Sequence, residues 1–164
     1  MKPSSTVDEA AGSTLVRRYG LPVTEGASIP HPDAEGITEE VIHNVVVEFY
    51  RKAREDELLG PVFEAHIHEW ETHLARMIDF WSAALLRTGR YSGRPVERHR
   101  AIDRLRADHF GRWIELFEST VRELCPTRQA DAFMVRARLM RQGMTRVLGM
   151  EPEDAGPTNG SIGR

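Results

Sequence analysis

The chain has 164 residues, 40 % hydrophobic and 29 % charged, with a formal net charge of −3. That length suits one domain with a proper core and is short for two, and the mildly acidic balance argues against the basic footprint of a nucleic-acid-binding domain. The single cysteine, Cys125, can close no intramolecular disulfide and build no thiolate metal site. No apolar run approaches the roughly 20 residues needed to span a bilayer, and Met1–Thr6 does not lead into a secretory signal. The expectation is a cytoplasmic protein without nucleic-acid or membrane partners. Its many arginines read as solvated helix faces.

Residues 1–36 hold Pro3, Pro22, Pro30 and Pro32 with several Gly and Ser, and show no sustained helical period. They read as a flexible extension, with one helical turn conceivable over Thr14–Tyr19. From residue 37 to 150 the pattern is helical, and 151–164 reads as a flexible tail. Thr38 is placed to cap a first helix, with Glu39 and Glu40 in its first turn and Ile42, Val45, Val46 and Phe49 at helical spacing. Leu58-Leu59-Gly60-Pro61 breaks it. A long helix is predicted over Glu69–Arg87, with Trp70, Leu74, Met77, Trp81 and Leu85 on one face and Gly89 closing it. Thr88–Arg98 reads as a loop, and His99 as the start of a short helix reaching Leu105. Asp108 is placed to cap a helix whose Phe110, Trp113, Phe117, Val121 and Leu124 face inward until Pro126 stops it. Thr127 is placed to cap the last helix, which carries Phe133, Leu139, Met140 and Val147 to about Gly149. With no strand alternation and no repeat, the fold class is all-α.

Chemistry is sought among the seven histidines. His73 shares a helical face with Met77, Phe80 and Ala84, so it reads first as a core histidine bonded to a backbone carbonyl. His99, flanked by Arg98 and Arg100, reads as readily as an exposed turn residue as it does a ligand. His66 and His68 flank Ile67 in a predicted loop, with nothing nearby to complete a zinc site. His31, His43 and His109 read as surface or capping residues.

Five segments in order resemble one known family. They are Val47-Glu48-Phe49-Tyr50-Arg51-Lys52 followed by Leu59-Gly60-Pro61-Val62-Phe63; Glu69-Trp70-Glu71-Thr72-His73; Asp79-Phe80-Trp81; the glycine-rich stretch Gly89–Pro95 leading to His99; and Asp108-His109-Phe110-Gly111-Arg112-Trp113-Ile114-Glu115-Leu116-Phe117. Over about residues 37–150 the chain resembles the truncated haemoglobins, and their third group in particular. The resemblance implies a two-over-two helical sandwich around a haem b, with the irregular N-terminal extension outside it. The first 36 residues have no counterpart in the family pattern.

The same resemblance implies roles for individual residues. His99 falls on the proximal iron ligand, one ring nitrogen on the metal and the other donating to a backbone carbonyl. Tyr50, His73 and Trp113 fall on distal positions that stabilise a bound diatomic ligand. Phe49, Met77, Phe80, Trp81 and Phe110 would wall the haem, and Tyr91, Arg94 and Arg98 are candidates for its propionates. The implied function is binding of dioxygen and other diatomic ligands at a five-coordinate iron. Two hydrogen bonds to a charged ligand, at roughly 1.5–3 kcal/mol each, would slow dioxygen release by about two decades or more. Slow release suits nitric oxide dioxygenation or peroxide chemistry better than oxygen delivery, with electrons from an unidentified reductase. A haem-based gas or redox sensor signalling to a partner, and a haem-free helical interaction protein, are the alternatives.

Overall fold

Thr38 opens the first helix, α1 (Glu39–Glu55), its hydroxyl accepting from the Val41 amide at 3.3 Å while Glu39 and Glu40 occupy the first turn. The computed structural model describes residues 36–150. The remainder of the expected N-terminal extension, with Thr14–Tyr19 and His31, lies outside the described residues, as does the expected tail. After α1 come α2 (Gly60–His66), α3 (Trp70–Leu86), α4 (Pro95–Arg100), α5 (Ala107–Leu124) and α6 (Thr127–Val147), with no strand among the described residues.

The four long helices form a closed cycle of contacts: α1 packs on α3 and α5, and α6 packs on α5 and α3. The enclosed core takes Ile42, Val45, Val46, Phe49 and Ala53 from α1, Trp81 and Leu85 from α3, Ile114, Phe117 and Val121 from α5, and Ala130, Phe133, Met134 and Ala137 from α6. Phe117 sits at its centre, stacked between Trp81 (4.8 Å, 8°) and Trp113 (5.1 Å, 6°) with Phe49 edge-on at 5.3 Å. Offset or edge-on rings of this kind add to the stabilisation from burial alone.

Several local expectations are corrected. α1 ends at Glu55, ahead of the Gly60-Pro61 step, and that step opens α2, because proline in a first turn loses no hydrogen bond and has its φ already set. His66 consequently lies on a helix, its Nδ1–H donating to the Val62 carbonyl at 2.8 Å. Gly60 is required for closeness: a Cβ there would lie 2.6 Å from the Arg54 carbonyl oxygen, so α2 leaves α1 with no room for a side chain. The C-cap of α3 is Arg87, in the left-handed region at φ 57°, two residues before Gly89. Pro95 starts α4 inside the predicted loop, again as a first-turn proline, so His99 sits in the last turn of a helix that ends at Arg100. Asp108 lies within the first turn of α5, and the cap is Arg106. Pro126 caps α6, with Thr127 its first residue. Leu124 is exposed, at 43 %, because the inward stripe continues in steps of four from Phe117 to Val121 to Cys125, and Cys125 takes the buried place.

Candidate functional site

The site grows from the short helix α4. Its first carbonyl, that of Pro95, lies 2.7 Å from His99 Nδ1. A carbonyl can only accept, so Nδ1 carries the proton and donates, and the lone pair of the neutral ring is left on Nε2. Burial pushes the His99 pKa below its ordinary value, against the opposing pull of the Pro95 hydrogen bond. Phe110, from the first turn of α5, lies 5.9 Å from the His99 ring.

The segment before α4 is tied down by charge. Glu39 at the start of α1 accepts from the buried Ser82 hydroxyl (2.7 Å) and from Arg90 (2.8 Å), and Arg90 also reaches Asp79 at 3.1 Å. Burial raises the Glu39 pKa, but Ser82 and Arg90 outweigh it and leave the carboxylate below its ordinary range. Between these anchors Tyr91 is 3 % exposed and packs on Phe80 at 5.1 Å and against Ala83 and Met77. Gly93 lies so close to the Tyr91 phenol that any Cβ would fall far inside van der Waals contact with its ring. Only glycine lets the loop backbone cover that ring.

Across from α4 stands a cluster of rings on α1, α2 and α3. Tyr50 is buried and meets Phe49 (5.0 Å), Phe63 (5.5 Å), Trp70 (6.1 Å) and His73 (4.8 Å, 88°) edge to face. Trp113 joins through Phe49 at 5.5 Å. Burial, with Tyr91 adding to it, pushes the Tyr50 hydroxyl far above its ordinary pKa, so it stays a protonated donor. His73 Nε2 is the one side-chain nitrogen or oxygen among the described residues that is buried without a hydrogen-bond partner. The core-histidine expectation of a carbonyl partner is therefore not met at that nitrogen. Burial first, then the charges of Arg76, Arg98 and His99, bring the His73 pKa down to about 4. His99 on α4 is thus felt at His73 on α3.

Of the residues singled out from sequence, the structure brings together Tyr50, His73, Phe49 and Trp113 on one side and His99 with Phe110 on the other. Met77, Phe80 and Tyr91 gather beside them. Trp81 has Phe80, Phe117 and Phe133 as ring neighbours, in the interior. Arg98 is exposed with its charge felt at His73, whereas the Arg94 side chain is 82 % exposed and lies 4.0 Å from Glu97. Sequence reasoning missed Arg76, which stands one turn beyond His73 on α3; its i+3 spacing was the available signal. It missed Trp70 as well, held under the Arg54 guanidinium at 4.3 Å while Arg54 bonds Glu64 at 2.9 Å. His109 does cap, its Nδ1 accepting from the Arg106 amide at 3.1 Å, but it is buried and not a surface residue. No group of three or more His, Cys, Asp or Glu able to hold a metal occurs among the described residues. No described helix is long and apolar enough to cross a membrane.

No protein-family profile matches the chain. It is 31 % identical over 110 residues to the group 3 truncated hemoglobin ctb of Campylobacter jejuni subsp. jejuni, a match that covers 65 % of this chain and 87 % of that one. Its structure is similar to the crystal structure of a group III truncated hemoglobin from Campylobacter jejuni, with a TM-score of 0.66 and 29 % identity over 68 % of this chain and 91 % of that one. The described helices, four long ones in a closed cycle of contacts with a short histidine-bearing helix between α3 and α5 in the chain, agree with the expected two-over-two arrangement. Ring cluster, helix order and sequence agree, and the chain belongs to the group III truncated haemoglobins.

Proposed function

We propose that this protein binds a haem b between α3 and α4, with His99 Nε2 as the iron ligand, and holds a diatomic ligand such as dioxygen on the Tyr50 side. The single observation that carries this is the His99 tautomer. Its Nδ1–H is committed to the Pro95 carbonyl at 2.7 Å, which leaves Nε2 neutral and free, as an iron-bound imidazole must be. The surroundings fit the group. Phe80, Met77, Tyr91 and Phe110 offer apolar and aromatic faces, and Phe49 and Trp81 back them from the core. Arg98 and Arg76 supply cations for the two propionates near His73. The unpartnered His73 Nε2 marks a place built for something the polypeptide does not itself provide.

When bound, the haem supplies reversible binding of diatomic ligands and one-electron redox chemistry. The chain's own part is to hold the ligand. The Tyr50 hydroxyl, kept protonated, and the Trp113 indole, a donor only, offer hydrogen bonds to partial negative charge. The surrounding rings keep water out and strengthen those bonds. Slow release would suit nitric oxide or peroxide detoxification better than oxygen delivery, and continued turnover would then take electrons from a separate reductase.

Titration of the purified chain with haemin tests the assignment. A Soret band should form stoichiometrically and be lost or strongly shifted in His99→Ala. Uptake of haemin without spectral change, or an unaltered spectrum in His99→Ala, would sink it. Dioxygen dissociation should quicken about ten- to a hundredfold in Tyr50→Phe, since a hydrogen bond to a charged partner contributes roughly 1.5–3 kcal/mol; an unchanged rate removes the donor role.

A further inference from the structure

We infer that His73 is an internal sixth ligand: when no external ligand is present, its Nε2 binds the iron on the face opposite His99. The inference rests on the haem reading above and departs from the five-coordinate resting iron that the family resemblance implies.

The starting observation is chemical. His73 Nε2 is buried and meets no donor, and a buried polar group left in that condition costs about 1–3 kcal/mol. The nearest candidate donor, Tyr50, has its ring edge-on to His73 at 4.8 Å, yet no hydrogen bond joins its hydroxyl to the imidazole. A nitrogen lone pair that the protein leaves unanswered is a metal ligand in waiting, and neutral imidazole is the commonest one proteins use. His73 stands on α3 with its ring against Tyr50, and His99 on α4 is among the charged groups felt at His73.

Other groups in reach are unsuited. Tyr50 keeps its proton and is a poor ligand in that form. His109 Nδ1 is occupied by the Arg106 amide, which leaves the proton on its Nε2, and His66 lies exposed on α2. Burial also keeps His73 unprotonated at neutral pH, so its lone pair is available. An incoming ligand then has to displace His73, and the rate of binding is limited by how fast the imidazole leaves.

The full-length protein loaded with haemin tests this by absorption and electron paramagnetic resonance, with carbon monoxide as the kinetic probe. The expected result is a low-spin bis-imidazole spectrum that turns high-spin in His73→Leu and in His73→Gln. Carbon monoxide association should saturate with concentration in the wild type and become linear, at least tenfold faster, in both variants. A wild type that is high-spin but holds haem through His99 overturns the inference and leaves the cofactor reading intact. A low-spin spectrum that persists in both variants overturns it equally. A chain that takes up no haem overturns the cofactor reading, and this inference with it.

Discussion

Two regions of the molecule bury polar groups and treat them in opposite ways. At the corner between α1 and α2, the Asp56 side chain is 7 % exposed and fully answered. One oxygen accepts from the Leu58 and Leu59 amides, both at 3.0 Å, and the other from Arg112 of α5 at 2.7 Å. Burial raises its pKa, but the Leu59 amide, Arg112 and the Leu58 amide outweigh that and hold it below the ordinary 3.8. On the facing side of Tyr50, His73 buries a nitrogen that nothing answers. The corner is architecture, where every desolvated group must be matched inside the chain. In the proposed function the imidazole belongs to a site whose missing partner comes from outside. That contrast separates structural from functional burial more sharply than burial itself does, since both groups are withdrawn from water.

The contrast can be broken from either end. The largest effect is expected from Asp56→Ala, which strands two amides and a guanidinium at once; thermal or urea unfolding should show a loss of about 2–4 kcal/mol. A loss under about 1 kcal/mol would mean that water answers the corner as well as the carboxylate does. Gly60→Ala, at the same corner, forces a Cβ toward the Arg54 carbonyl and should cost about 1–3 kcal/mol, with α2 shifting against α1. At the other region the sign reverses. In the haem-free protein, His73→Leu removes an unanswered acceptor and should raise stability by about 1 kcal/mol; a destabilised variant would show that Nε2 has a partner in solution.

The remaining effects are in pH. With His73 at about 4 in the fold against an ordinary 6.5, the unfolded chain takes the proton first. Stability of the haem-free protein should therefore fall as pH drops from about 6.5 toward 4. Burial first, then the charges of Arg76, Arg98 and His99, enforces this, and His99, itself lowered, leaves part of the slope in His73→Leu. Asp56 acts in a separate window, holding full stability above its unfolded value near 3.8 and losing it only as pH falls below that. Urea midpoints measured between pH 7 and 3 in the wild type, His73→Leu and Asp56→Asn should resolve the two windows. A wild-type slope between 6.5 and 4 that survives undiminished in His73→Leu would remove the imidazole from the account.

Much of this was legible in the residue order. Period and capping located the helices, since Thr38, the paired glutamates after it and the Ile42–Phe49 stripe state a helix start in local chemistry alone. Tyr50, His73, His99 and Trp113 were picked out because five segments stood in a family's order. Where prolines were concerned the local reading failed in one direction. Pro61 reads locally as a break and Pro95 as part of a loop, yet each stands in the first turn of a helix, because proline is unfavourable inside a helix and harmless in its first turn. Which of these holds depends on what the following residues pack against, and that is not local.

By itself, then, the sequence determined an all-helical chain, the inward faces of its long helices and the residue types available for chemistry. Those follow from backbone hydrogen bonding and a period of 3.6, which act over a few residues. Tertiary structure decided what the residue types do. It committed one nitrogen of His99 to Pro95 and so freed the other, while it buried Tyr50 and kept its proton. It pinned the loop before α4 with Glu39 and Asp79, residues 51 and 11 positions before Arg90. It also left His73 Nε2 without a partner. Whether a buried group is answered depends on every element that packs around it, and only the assembled fold contains that information.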